Sequence, residues 1–242
     1  MCHRFTPLSA DETDRVIDYL RAVKHVLGQG MLAEDALPPM APLGTIPLES
    51  LDCYPGSECT VVMSGSEPGS LDRRTLPWGV EAPWKKGLVF NARIESALRG
   101  EGMWREAMEQ GRCVVPVRAF YETRNVAAVP ASSVVVAAGS SSCRPQYRFA
   151  SRADQALLLA GLVLGDRFVV VTTEPNATVG AVHNRMPLVL TAPEALGWLE
   201  GRLEPQQLLA RRFEGALAIE EEAPAAGRRA APKADADQLS LF

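Results

Sequence analysis

The stretch Ala156-Leu-Leu-Leu-Ala-Gly-Leu-Val-Leu-Gly-Asp-Arg-Phe-Val-Val-Val-Thr-Thr173 decides the fold. Two apolar, β-branched runs, 156–164 and 167–173, flank Gly165-Asp166, a pair suited to a tight turn, so the segment reads as a hairpin. Working outward, similar turn-bounded runs predict strands at 60–63, 87–90, 112–117, 133–138 and 147–149. Val16, Ile17, Leu20, Val23, Val26 and Leu27 fall at the three-and-four spacing of an amphipathic helix over 11–27, with Ser9 as N-cap and Gly28 as stop. Shorter helices are predicted at 94–99, 103–110 and 193–200, while the Pro- and Gly-rich segment 37–55 reads as loop with short strands. Many neighbouring strands and few helices specify an α+β domain with flanking helices around an antiparallel or mixed sheet, not a doubly wound parallel one. No internal repeat is visible.

The 242 residues, 47% hydrophobic, suffice for one core, so one domain plus a tail is expected. No apolar run reaches about 18 residues, and Asp11, Glu12 and Asp14 stand where a secretory signal needs basic and then apolar residues. A soluble cytoplasmic protein, free of the membrane, is therefore expected. Cys2, Cys53, Cys59, Cys113 and Cys143 include no Cys-x-x-Cys pair, which argues against a disulfide framework and a zinc ribbon, so no metal or cofactor is expected. The net charge of −4 is uneven: six acids and three bases from Glu214 onward leave the tail at −3 and the body at −1. That body excludes a strongly salt-dependent, whole-surface DNA binder but leaves room for a local basic groove with Arg4, Arg73, Arg74, Lys85, Lys86 and Arg93. From about Glu220 the chain turns to Ala, Pro, Gly and charge and is predicted to be disordered. The expected organisation is a domain over 1–215, a linker over 216–237 and a terminal peptide over 238–242.

Four stretches could carry chemistry. Removal of Met1 from MCHRF would leave Cys2 with a free α-amine, titrating near about 7.7–8.0, beside a thiol near about 8.5. Such a 1,2-aminothiol suits an aldehyde: the amine condenses to a Schiff base and the thiol closes on the imine carbon to give a thiazolidine. In FNARIES, Asn91 and Arg93 lie two apart and share a face if the strand continues. In RAFYET, Glu122 follows two aromatics, an apolar setting that raises a carboxyl pKa toward general acid/base work. In AVHNRMPLVL, His183 stands beside Asn184, Arg185 and Pro187. Each also has a plain structural reading, as a chance second residue, a turn with a salt bridge, a solvated strand position and a loop cap.

In order, MCHRF, Tyr54-Pro55-Gly56, Pro77-Trp78-Gly79, NAR, FYE and HNRMP resemble the SRAP family, the SOS-response-associated peptidase proteins that bind abasic sites in single-stranded DNA. The resemblance covers about residues 1–200. It implies a compact α+β fold with a barrel-like β core. It implies that Cys2 bonds covalently to the ring-opened sugar aldehyde, Asn91 holds the N-terminal residue and sugar, Glu122 shuttles protons, and His183 acts as acid/base on the sugar. It places Arg4, Arg93, Arg185 and Thr172 toward the DNA, with Pro55 and Trp78 at the junction where bases unstack. The sequence departs from the family pattern at His3 (for Gly), Arg118-Ala119 (for Asp-Gly), Thr123 (for Trp) and Asn184 (for Asp), the last lowering the His183 pKa relative to an Asp neighbour.

At the end, QLSLF resembles the peptide by which partners enter the bacterial sliding clamp, with Gln238, Leu239, Leu241 and Phe242 as contacts on a flexible linker. The expected protein is a monomeric, nucleoid-associated sensor that crosslinks abasic sites. Two alternatives stay open: an N-terminal-cysteine peptidase or autoprotease, and a non-catalytic clamp or single-stranded-DNA adaptor.

Overall fold

A computed structural model describes residues 2–30, 37–44, 52–67, 69–100, 102–125 and 145–222. Along the chain run β1 (Phe5–Pro7), α1 (Ala10–Gly28), β2 (Glu58–Ser64), β3 (Leu71–Pro77), β4 (Val80–Ala82), β5 (Lys85–Val89) and β6 (Asn91–Arg93). Then come α2 (Ile94–Leu98), α3 (Trp104–Gln110), β7 (Arg112–Thr123), β8 (Gln146–Ser151), β9 (Leu157–Leu164), β10 (Arg167–Thr173) and α4 (Ala177–Gly180). The chain continues through β11 (Met186–Pro187), β12 (Val189–Leu190), α5 (Ala192–Leu199), α6 (Pro205–Ala210) and β13 (Leu217–Glu222). Among the described residues no helix is long and apolar enough to cross a membrane.

The expected hairpin forms. β9 and β10 pair antiparallel, Phe168 opposite Val163, around Gly165 at φ +62°. Side chains alternate between faces: Leu158, Ala160, Leu162, Val169 and Val171 pack with α1 and α5, whereas Leu159, Phe168 and Val170 pack with Phe5, Trp78 and Phe120. Burial of both faces explains why these strands read as unbroken apolar runs.

β7 is the hub. Residues 112–117 pair with β9, while β2 meets them at Cys113 and Val114. Residues 119–123 pair with β8, and Phe5 of β1 lies opposite Phe120 on the other edge. The ladder runs β11-β10-β9-β7-β2-β3, with β6 joined parallel to β10. Among the described residues no pairing joins β3 to β11, so the barrel-like core is an open mixed sheet in a single α+β domain.

α1 follows its capping signals: Ser9 Oγ accepts from Glu12 N, and Glu12 Oε2 accepts from Ser9 N. Glu12 is also the buried partner of Arg118, whose guanidinium further donates to the carbonyls of Gly44 and Leu43. The departure at Arg118 is thus a structural ion pair that ties β7, α1 and the 37–44 segment together.

The domain does not stop at 215. Leu217 is buried and β13 pairs residue by residue with β8, with Glu220 against Arg148 and Glu222 against Arg4. Linker-like composition conceals this strand because its acids are matched across the ladder rather than solvated alone. The predicted strand at 133–138 and the terminal contacts Gln238, Leu239, Leu241 and Phe242 lie outside the described residues.

Candidate active site

β1 brings the chain's start against the middle of the sheet. Phe5 exchanges backbone hydrogen bonds with Cys53, at 3.2 and 2.8 Å, and Tyr121 N donates to Arg4 O at 3.0 Å. Cys2 is therefore threaded inward: it is wholly buried, its Sγ lies 3.5 Å from Arg4 O, and its carbonyl accepts from Asn91 Nδ2 at 2.8 Å. Asn91 is fixed because β6 lies parallel along β10, Asn91 opposite Val170. Its Oδ1 is buried with no hydrogen-bond partner among the described residues, an acceptor held ready in the site.

Glu122 points inward from β7 and is wholly buried; Oε2 lies 3.7 Å from His183 Nδ1. His183 is carried by the turn after α4, where its amide bonds Val179 O and where the Asn176 side chain caps Val179 N. Its Nδ1 sits 2.9 Å from Arg185 O and 3.0 Å from Arg185 N, which fixes the ring's orientation. The structure thus gathers Cys2, Asn91, Glu122 and His183, which are distant in sequence, around one buried centre.

Burial sets the electrostatics there. Desolvation pushes the Glu122 carboxyl up to about 7 and the Cys2 thiol far above its ordinary value, the latter raised further by the Glu122 charge. His183 is lowered, above all by burial, and His3 adds a smaller lowering influence. The bulky departure at His3 therefore has an electrostatic consequence; its Nε2 also lies 3.1 Å from Gln146 Nε2, which joins it to the residue that accepts from Arg4.

The raised Glu122 value predicts a cost in stability. The folded state keeps the proton up to about pH 7 while the unfolded chain releases it near 4.5. Wild-type stability should thus decline between those values by up to about 3 kcal/mol relative to Glu122→Gln. Urea melts of both proteins across this range should show the difference growing with pH, and parallel curves would contradict it.

The remaining candidates occupy varied positions. Arg185 forms a bidentate pair with Glu95 at 2.8 and 3.0 Å and donates to Thr172 O at 2.7 Å, an arrangement that lowers the Glu95 pKa. Thr172 is buried, its hydroxyl directed at Ala92 O. Arg93 is exposed at the end of β6. Trp78 is fully buried between Phe5 and Phe168, its Nε1 donating to Phe90 O, and its carbonyl accepts from Gly56 N beneath the turn that carries Pro55. It supports Pro55 rather than facing solvent.

Arg4 lies over the Tyr121 ring at 3.9 Å, and adjacent strand residues point oppositely, so it occupies the face away from Glu122. There Asp52 and Glu222 neutralise it. Asp52, Gln146 and Glu222 had no sequence signal. Glu95 did have one, since it lies four residues after Asn91 in the same motif. Among the described residues, no group of three His, Cys, Asp or Glu could hold a metal ion.

Comparison with known proteins identifies the family of the chain. The chain is 28% identical over 129 residues to the abasic site processing protein YoqW of Bacillus subtilis, and 27% identical over 129 residues to YoaM of the same organism, also named an abasic site processing protein. Each match covers 51% of this chain, which spans about half, 55%, of the length of these curated relatives. The fold matches a phage-related protein of Bordetella bronchiseptica (TM-score 0.59, 20% identity, 92% of this chain and 95% of that one). It also matches a protein of Bacteroides thetaiotaomicron (TM-score 0.57, 18% identity, 91% of each chain). The model of the SOS response associated peptidase family matches residues 1–221, and the chain belongs to that family.

Proposed function

We propose that this protein processes abasic sites in single-stranded DNA by bonding Cys2 to the sugar aldehyde. The observation that carries the reading is the buried cluster itself: a candidate nucleophile at residue 2, held by Asn91, lies in the same buried cluster as a carboxyl poised near neutrality and a histidine 3.7 Å from that carboxyl. The names of the YoqW and YoaM relatives support it.

Once Met1 is removed, the Cys2 amine adds to the aldehyde carbon, the carbinolamine oxygen leaves as water with a proton from Glu122, and the Glu122 carboxylate takes back the N–H proton of the resulting iminium to leave the neutral imine. The thiol then adds across the C=N bond: sulfur bonds to carbon, and the thiol proton ends on nitrogen. A thiol kept protonated by burial suits this order, with the amine first and sulfur second. His183, lowered from its ordinary value above all by burial, favours its neutral form and can accept a proton from the sugar hydroxyl as the ring opens. The same reading assigns Gln238, Leu239, Leu241 and Phe242, beyond the described residues, to a sliding clamp's pocket.

Incubation with an abasic single-stranded oligonucleotide should yield an adduct that survives denaturing electrophoresis. Glu122→Gln should slow its formation by about 10²–10⁴-fold and remove the inflection near pH 7. A wild type that forms no adduct after confirmed loss of Met1 would overturn the reading.

A further inference from the structure

The cations around the site are unequally occupied. Arg4 is held by Asp52 and Glu222, and Arg185 by Glu95. Arg124, one residue past β7, forms no ion pair with a carboxylate among the described residues, and its buried Nε has no hydrogen-bond partner among them. Its Nη2 donates to Tyr147 Oη at 2.5 Å, and the guanidinium lies 5.2 Å from that ring.

Register shows where this cation points. Glu122 lies opposite Tyr147 across β7 and β8, and Tyr147 lies opposite Glu221 across β8 and β13. Directly paired residues share a face, so the three form one row on the face that carries the reacting cluster. Arg124 reaches that row through Tyr147, whose Oη donates in turn to Glu221 Oε2 at 2.8 Å. The next amide, Asn125 N, bonds Val182 O at 2.9 Å, which pins Arg124 beside the loop of His183.

A guanidinium cannot shed its proton, and keeping it half-buried without a direct counter-charge is costly. A hydroxyl already committed to a carboxylate compensates it weakly. We infer that Arg124 is a phosphate-binding residue at the edge of the site, and that Glu221, acting through Tyr147, occupies it until a backbone phosphate of single-stranded DNA takes its place. This rests on the single-stranded-DNA reading above. Arg93, exposed on β6, offers a second cation from a strand that is not paired with β7.

The test is non-covalent binding of undamaged single-stranded oligothymidylate, read by fluorescence anisotropy across a salt series. Arg124→Gln should weaken binding several-fold at about 50 mM salt and reduce the log-log salt slope by about 0.7, one phosphate contact on a single strand. Arg124→Lys should restore the slope, which a merely structural role would not require. Glu221→Gln, which keeps the strand pairing, should bind more tightly; this variant decides the matter if Arg124→Gln lowers the melting temperature. Wild-type affinity and slope in Arg124→Gln, or no gain in Glu221→Gln, would overturn the inference. A wild type that forms the abasic adduct while Arg124→Gln leaves the slope untouched removes only this inference. A slope that responds in a protein forming no adduct removes only the covalent reading.

Discussion

Cys2→Ala should abolish the denaturation-stable adduct while leaving the fold in place. The side chain is wholly buried and its Sγ has only weak backbone partners among the described residues, Arg4 O at 3.5 Å and Tyr121, so truncation deletes a single small group and keeps the Asn91 bond to the residue 2 carbonyl. The α-amine of this variant can still condense with an aldehyde, but no sulfur follows to close the ring, and an imine hydrolyses during denaturation. Borohydride should therefore trap the alanine variant on abasic DNA, whereas without reductant only wild type should appear as an adduct. Intact mass showing that Met1 has been removed is the necessary control. A Cys2→Ala protein that crosslinked fully without reductant would sink the assignment. A wild type that turned over peptides in trans would favour the peptidase alternative.

Arg118→Ala should destabilise the domain by about 3–5 kcal/mol, the usual consequence of removing one member of a buried ion pair. Arg118 and Glu12 are 4% and 5% exposed, so the remaining carboxylate would be stranded in the core. The carbonyls of Gly44 and Leu43 would lose their donors as well. Urea denaturation measures the loss. Glu12→Leu with Arg118→Met should recover most of it, less about 1 kcal/mol for the broken capping box of α1. A single-variant loss under about 1 kcal/mol would show that the pair is dispensable.

Elements with strong local signals were legible in the sequence. Apolar spacing with Ser9 located α1, and the Gly165 turn located β9 and β10, because these signals are the local causes of those elements. β7 was expected only to 117. It runs to Thr123 because Arg118, Tyr121 and Glu122, polar types that break the apolar run, find partners only in the tertiary structure. β13 was missed for the same reason: three consecutive acids resemble a solvated linker until Arg148, Tyr147 and Arg4 lie opposite.

At the site, Cys2, Asn91, Glu122 and His183 were singled out by the ordered set of motifs and its family resemblance, since each residue taken alone also has a plain structural reading. The carboxylates that hold Arg4 were not legible. Asp52 and Glu222 are ordinary surface residue types, and only contacts 48 and 218 positions away give them a role beside Arg4.

The pairing of Phe5 with Phe120 also sets a timetable. A ribosome adding about 5–20 residues per second needs on the order of ten seconds to proceed from the first strand to the seventh. Throughout that interval the second residue has no sheet to enter, and the nascent end hangs free. The covalent reading proposed above needs Met1 removed to free the Cys2 amine, and Cys2 itself is wholly buried once β1 has docked. On that reading, slower translation between codons 5 and 120 should raise the fraction of molecules able to form the adduct, because the docking strand emerges later.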